Sequence, residues 1–394
     1  MKHAALAMTL LGSTMLAACG SGETGGAPAQ SDETASVITP SAGEAKAGYQ
    51  LVEAASGFDF AWGLAFLPDG GMLVSEREGQ VRYVAPGATS GADVSGGPET
   101  LVAGQGGYLD IAIDPEFESN RFVYLSYSKG TKSENATALM KARLSEDNLT
   151  FENPVDIYVA PTKRATSAHY GGRLLFLPDN TLLLGLGDGF RYMDEAQNPQ
   201  NSHGTVMRLN RDGSAPDDNP FVGSDEALDT VYSFGHRNVQ GLAYDAATDT
   251  IYESEHGPKG GDEINILEPS LNYGWPTITY GVNYDGSIIT TQTEAPGMEQ
   301  PIVKWVPSIA PSSIAFVTSD RYPDWQGDIL TSALAGSKIQ RVDLDKGRVR
   351  GEEALFTDEG VRFRLVKEAP DGFLYVTIDD FDAPIYRIEP VPAS

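Results

Sequence analysis

Residues 62–84 read WGLAFLPDGGMLVSEREGQVRYV, two apolar runs separated by a Pro-Asp-Gly-Gly turn. Proline, aspartate and glycine in that order favour a tight reversal, and the flanking runs suit strands, so the stretch predicts a β-hairpin. The same build returns at 109–128 (LDIAIDPEFESNRFVYLSYS), 172–188 (GRLLFLPDNTLLLGLGD), 241–255 (GLAYDAATDTIYESE), 312–344 and 364–380 (RLVKEAPDGFLYVTIDD). No helical period of comparable length interrupts these segments. Six hairpin units at intervals of roughly 45 to 75 residues, each too small to close a core alone, predict an all-β chain with its units arranged around an axis, a six-bladed β-propeller. A β-sandwich would not need one inner phrase to recur along the whole chain. The longer spacing between the third, fourth and fifth phrases predicts inserted loops, and loops on a rigid scaffold are where sites are built.

The propeller is expected to occupy residues 49–394, and the residues before it read differently. Lys2 and His3 precede an apolar run from Ala4 to Ala18 that ends in Leu16-Ala17-Ala18-Cys19-Gly20. Such a run is too short to span a bilayer and is instead the pattern of a secretory signal. Its end resembles the bacterial lipobox, so residues 1–19 are expected to be a lipoprotein signal, with Cys19 diacylated as the new N-terminus. Residues 20–48 hold no aromatic residue and are dominated by small and polar types, the composition of a flexible linker. The expected location is the periplasmic face of a bacterial membrane, and Gly20 rather than aspartate after the cysteine points to the outer membrane.

Cys19 is the only cysteine, which excludes an intrachain disulfide. Lys and Arg total 28 against 55 Asp and Glu, a net charge of −27 spread along the chain. That balance excludes a nucleic-acid partner and repels anionic lipid headgroups, so membrane contact is expected through the lipid anchor alone.

Several polar or glycine-rich phrases exceed what a purely structural propeller needs: Gly104-Gln105-Gly106-Gly107, AHYGGR at 168–173, GHRNVQG at 235–241, EHGPKGGDEIN at 255–265 and NYGWP at 272–276. Taken in this order, with RFR at 362–364 downstream, they make the chain similar to the quinoprotein soluble glucose and aldose sugar dehydrogenases from about Trp62 to Arg387. The resemblance implies pyrroloquinoline quinone (PQQ) over the propeller axis, a calcium ion joining it to the protein, and a sugar above it. It also implies electrons passed to an acceptor, a quinone or a cytochrome.

Carried over residue by residue, the resemblance makes His169 the general base that removes the anomeric hydroxyl proton, a task suited to a neutral imidazole. Arg237 and Asn238 match the pair at the quinone oxygens, where a guanidinium can stabilise developing negative charge. Gln105 matches a residue at the cofactor edge. Arg362 and Arg364 match an arginine pair for the cofactor carboxylates, and their i, i+2 spacing on a strand would put both side chains on one face. Gly257 and Pro258 match backbone-carbonyl ligands of the cofactor calcium, and Glu263 and Tyr273 match a second, structural calcium site. His236 and His256 are expected to support the site from behind.

Three departures from the glucose enzyme stand out. Ala168 replaces the acidic residue before the histidine, so His169 must be oriented by another group. Ala335 stands where a lysine is expected, with Lys338 and Lys304 as candidate replacements. The loops around blades four and five are short for sugar-binding or dimer-forming insertions. Two rival readings differ in class. A calcium-dependent lactonase has no use for Arg237, Arg362 and Arg364 together, and a non-catalytic binding module has no use for His169, Arg237 and Asn238.

Overall fold

The computed structural model describes residues 48–391. The leader, Cys19 and all but the last residue of the linker lie outside the described residues. Six four-stranded antiparallel sheets surround one axis, as the recurring hairpins predict. Their innermost strands are Ala61–Phe66, Tyr108–Ile113, Gly171–Phe176, Val239–Asp245, Pro311–Phe316 and Phe363–Glu368, which define blades one to six. Each quoted phrase contains the inner hairpin of a blade. The outer strands, more exposed and variable in length, carry no comparable signature.

The turn chemistry explains the recurrence. At 67–71, 177–181 and 369–373 the same device is built from an apolar residue, Pro, Asp, Gly or Asn, and a closing residue. In the first, Gly70 N–H donates to the Leu67 carbonyl at 3.0 Å and Gly71 N–H to Asp69 Oδ1 at 2.8 Å. The position after the aspartate is left-handed in all three, at φ 87° (Gly70), 65° (Asn180) and 80° (Gly372). Glycine and asparagine are the residues that tolerate this conformation.

No blade has a core of its own. Among the described residues, most buried apolar side chains fall into six wedges, each filled from two adjacent blades, and Trp62, Leu109 and Tyr170 form a seventh, smaller cluster. The ring is closed by Tyr49–Phe58, which pairs with Ala383–Pro390 as the outermost strand of blade six. This sheet thus takes strands from both ends of the described residues, and Ala55 and Phe58 enter the wedge between blades six and one.

All six inner hairpins carry a register irregularity near the start of the inner strand. A bulge redirects a side chain, and here Trp62, Asp110, Arg173, Gln240, Ser312 and Arg364 lie at or beside these six irregularities, all of them buried. Arg173 is their hub. Its guanidinium lies 4.3 Å from the centre of the Trp62 ring, donates to the Gln240 carbonyl at 2.7 Å and the Ser312 carbonyl at 2.9 Å, and pairs with Asp110 at 3.2 Å. Five blades meet on one side chain. Below this plug a cavity of about 420 Å³ is lined by the far ends of the inner strands and holds none of the predicted site residues. Because removing one member of a buried ion pair leaves the other uncompensated, Arg173→Met should cost about 3–5 kcal/mol in denaturant unfolding. Adding Asp110→Leu should recover part of that loss, and strictly additive losses would contradict the pairing.

Candidate active site

The inner strands all begin at one end of the ring, and the loops feeding those starts build the site. His169 ends the loop entering blade three with φ 52°. Its N–H donates to Gln105 Oε1 at 2.7 Å, its carbonyl accepts from Arg164 Nη1 at 2.7 Å, and its Nδ1 meets Asp188 Oδ1 at 2.6 Å. A Cβ at Gly187 would stand 2.1 Å from the His169 carbonyl oxygen, so only glycine lets the neighbouring strand end approach this closely.

Asp188 resolves the Ala168 departure, because the carboxylate that orients His169 comes from the end of the next strand rather than from the preceding residue. Its other oxygen accepts from Trp275 Nε1 at 2.8 Å, and Phe190 N–H adds a bond of 2.7 Å to Oδ1. Burial works to raise the Asp188 pKa, but the bond and charge from His169, the Arg237 charge and the Phe190 N–H outweigh it and hold the group below the usual carboxylate value. Burial lowers the His169 pKa, with the Arg237 charge assisting and Asp188 opposing. The pair is therefore carboxylate and neutral imidazole. With Nδ1–H bound to Asp188, Nε2 carries the free lone pair.

Arg237 and Asn238 follow blade three and are set by Glu255, whose Oε2 accepts both backbone N–H groups. Glu255 Oε1 meets His236 Nδ1 at 3.1 Å, which ties His236 to the carboxylate that holds the Arg237 backbone. The Arg237 guanidinium donates to the carbonyls of His256 at 3.0 Å and Gly257 at 2.6 Å, and lies 5.3 Å from the Trp275 ring centre. The Gly257 carbonyl assigned to calcium by resemblance thus already faces a cation. Pro258 is buried beside it. Asn238 gives its Oδ1 to Gly171 N–H at 3.2 Å, leaving its amide NH₂ uncommitted. Gln105 likewise spends its oxygen on His169 and keeps its NH₂. Tyr284 arrives from the long connection 267–302 of blade four, its hydroxyl 3.5 Å from Arg237 Nη2.

His256 ties the groups together. Burial and the charges of Arg237, His169 and Arg364 depress its pKa to about 3, so all three lie within electrostatic reach of one ring. Its Nε2 and the Arg237 Nε are buried without a partner. Arg362, just before the inner strand of blade six, and Arg364, at its register irregularity, converge on Asp379, at 3.0 and 2.9 Å. Their two charges are thereby reduced to a net of one. Arg77, from the turn between the second and third strands of blade one, adds another guanidinium close enough to lower the Arg364 pKa along with burial and Arg362.

The candidate lysines are a correction. Lys304 sits on the outermost strand of blade four with its ammonium 3.6 Å from the Tyr280 ring centre. Lys338 sits on the third strand of blade five, where its charged neighbour is Glu352 of the outermost strand. Both strands lie away from the innermost strands of their blades, whereas Arg77 and Arg164 are further cations near the site.

Glu263 belongs to a buried acidic cluster rather than to a surface loop. It stands opposite Glu255 in register, and Asn265 Nδ2 bridges Glu253 at 3.2 Å and Glu263 at 3.4 Å. Burial, with the charge of Glu255, pushes both Glu253 and Glu263 well above the usual carboxylate range. Oxygen atoms Glu253 Oε1 and Asn265 Oδ1 have no partner, and His236, Glu253 and Glu255 bring ligand atoms within 4.8 Å of one another. Tyr273 stacks on His236 with ring centres 4.5 Å apart. Asp262, between Glu263 and the loop, is fully buried and holds the Gly257, Ile309 and Ala310 N–H groups. The sequence reading does not single out Arg77, Arg164, Asp188, Glu253 or Tyr284. Asp188 alone had a signal, as an acid terminating an otherwise apolar inner hairpin.

Comparison with known proteins agrees with this geometry. The family model described as Glucose / Sorbosone dehydrogenase matches residues 58–387. Aldose sugar dehydrogenase YliI of Escherichia coli is 37% identical over 336 residues, covering 84% of this chain and 90% of the relative. The apo crystal structure of the soluble E. coli aldose sugar dehydrogenase superposes with a TM-score of 0.84 at 35% identity, covering 87% of this chain and 100% of that one. A PQQ-bound aldose sugar dehydrogenase from Streptomyces coelicolor superposes with a TM-score of 0.73 at 27% identity, covering 89% and 100%. A six-bladed ring with its polar phrases at one mouth, matched along nearly the whole described chain, belongs to the glucose/sorbosone dehydrogenase family.

Proposed function

We propose that the chain oxidises aldose sugars at C1 to lactones with PQQ and calcium, and hands the electrons to a quinone or cytochrome. The observation that carries this reading is His169, neutral, with Nε2 free and Nδ1 fixed by Asp188, inside a mouth where guanidinium groups outnumber the carboxylates facing them. The aldose sugar dehydrogenase of E. coli supports the substrate class, and the PQQ in the Streptomyces structure supports the cofactor.

The residues present fit both groups. A buried Arg237 Nε and His256 Nε2 lack partners, the free NH₂ groups of Gln105 and Asn238 are donors, and Arg362, Arg364 and Arg77 offer guanidinium groups for cofactor carboxylates, although Asp379 and Glu78 already pair with them. The Pro258 carbonyl suits calcium, as do the oxygens of Glu263, Tyr273, Glu253 and Glu255, and the Gly257 carbonyl would join it by exchanging its bond from Arg237 for the ion. When bound, PQQ supplies a two-electron carbonyl acceptor that calcium polarises as a Lewis acid. His169 Nε2 takes the anomeric hydroxyl proton as C1 gives up its hydride, Asp188 stabilises the imidazolium, and Arg237 meets the negative charge that hydride arrival creates. Trp275 and Tyr284 cover Arg237 and reduce its contact with water.

Purified protein supplied with calcium and PQQ should reduce an artificial dye when an aldose is added. Absence of dye reduction with PQQ demonstrably bound would overturn the reading. The two arginine roles should separate: Arg364→Ala weakens cofactor binding, whereas Arg237→Lys chiefly slows turnover, because a point charge replaces a fork. Titrating PQQ into each variant and measuring kcat at saturation checks the division, and equal losses of affinity alone would contradict it.

The exported, lipid-anchored location follows from Leu16 to Cys19 and forms part of the same proposal. Two acyl chains hold a protein at a membrane far more firmly than one. Cys19→Ala should move the protein from the membrane to the soluble fraction on cell fractionation, and an unmodified protein already in the soluble fraction would refute the anchor.

A further inference from the structure

Phe190 combines two unfavourable features that the fold does not require. Its backbone is left-handed at φ 68°, directly after Gly189 at φ 67°, a conformation in which a bulky side chain is strained. Its ring is also 46% exposed, in contrast to the buried aromatics of the inter-blade wedges. Strain of this kind persists where the surroundings impose it and clusters at ligand clamps.

What imposes it here is the catalytic pair. Phe190 N–H donates at 2.7 Å to Asp188 Oδ1, the same oxygen that holds His169. The Phe190 ring meets the imidazole edge-on, centres 5.1 Å apart at 88°, and lies nearly parallel to the exposed ring of Tyr284, 6.3 Å away at 29°. The phenyl group is therefore tied to the base through one carboxylate oxygen and stands over the mouth beside it.

We propose that Phe190 is the substrate-side wall and a determinant of specificity, a role that rests on the dehydrogenase reading above. Its π face receives the C–H face of an aldopyranose, since the electron-rich face of an aromatic ring attracts the positive edges of C–H bonds. With the sugar ring lying on it, the anomeric hydroxyl is brought to His169 Nε2, while the polar groups beneath orient the rest. The class favoured is an aldopyranose with equatorial hydroxyls, such as D-glucose or D-xylose, whose axial positions present C–H bonds. D-Mannose, with its axial hydroxyl next to C1, fits less well.

The test compares the wild type with Phe190→Ala and Phe190→Tyr, all loaded with calcium and PQQ. Phe190→Ala should raise KM for D-glucose by about tenfold, lower kcat much less, bring the glucose-to-mannose preference close to unity and leave PQQ affinity unchanged. Phe190→Tyr, which keeps the ring, should restore KM and preference. Unchanged KM and preference in Phe190→Ala, or a rise in KM accompanied by loss of PQQ affinity, would overturn the inference.

Calorimetric titration of the apo protein with methyl β-D-glucopyranoside, which lacks the anomeric hydroxyl, separates this idea from the activity. Binding weakened about tenfold by Phe190→Ala, in a protein that oxidises no aldose, would sustain the wall and remove the dehydrogenase reading. Aldose oxidation and glycoside binding both indifferent to Phe190 would remove the wall alone, and a wild type that neither binds nor oxidises would remove both.

Discussion

His169→Gln should slow turnover by about 10²- to 10⁴-fold, the range a general base contributes, with PQQ and calcium still bound. Asp188→Asn should approach the same loss by a different route. Both Asp188 oxygens accept hydrogen bonds, from His169 and Phe190 on one side and Trp275 on the other. An amide can satisfy only one side. If its NH₂ faces the imidazole, Nδ1 becomes the acceptor, the proton moves to Nε2, and the base is lost. An Asp→Asn exchange behind a catalytic histidine elsewhere costs about 10⁴ in rate for this reason.

The pH dependence has a definite sign. The His169 pKa is below the ordinary value of 6.5, so the neutral form persists into mildly acidic solution and kcat should fall only on the acid side of 6.5. A plateau extending below 6.5 in the wild type, and a C1-deuterium isotope effect surviving in His169→Gln, would both fit. Wild-type turnover in His169→Gln with cofactor bound would remove the histidine from the mechanism.

Exhaustive chelation should lower the melting temperature, and calcium should restore it. A ligand at about a hundred times its Kd adds about 2.7 kcal/mol, which for a chain of this length is roughly 4 °C. The acidic cluster makes the prediction specific. Glu253 and Glu263 resist ionisation because burial and the charge of Glu255 oppose it. Glu253→Gln should therefore melt higher than the wild type without metal and gain less when calcium is added. An equal calcium-induced shift in both proteins would exclude Glu253 from the metal site, and no shift in either would exclude the site.

The parts legible in the sequence are those that depend on local chemistry. Leu-Pro-Asp-Gly at 67–70 and Leu-Pro-Asp-Asn at 177–180 declare their hairpins through turn residues, and the apolar inner runs declare the blades. His169, Arg237 and the arginines at 362 and 364 could be read from motifs. Asp188 could not be paired with His169 from the sequence, because the contact depends on a bulged strand bringing two loop ends together. Nor could Lys304 and Lys338 be dismissed. Their proximity along the chain said nothing of which strand of a blade they occupy, and radial position decides whether a cation reaches the axis. The carboxylates that cluster in blade four were hidden for a related reason, since Glu253, Glu255 and Glu263 have polar neighbours such as Ser254, His256 and Asp262 and read like ordinary solvent-facing strand positions.

The pairing of Tyr49–Phe58 with Ala383–Pro390 also sets a schedule. Synthesis runs from the N-terminus, so the strand made first must wait for the strand made last, and five blades can form before the ring has any means of closing. Bringing such distant segments together carries the loop-closure entropy of nearly the whole domain, and contacts of this span are slow to form. Until then Tyr49–Phe58 is an unpaired edge, and the side of blade one that should meet blade six is bare, a state open to aggregation and proteolysis. A chain truncated before Ala383 would remain in that state permanently. A circular permutant joined across the old termini and opened between blades six and one would not, because its sixth blade would be continuous, and it should refold faster than the natural order.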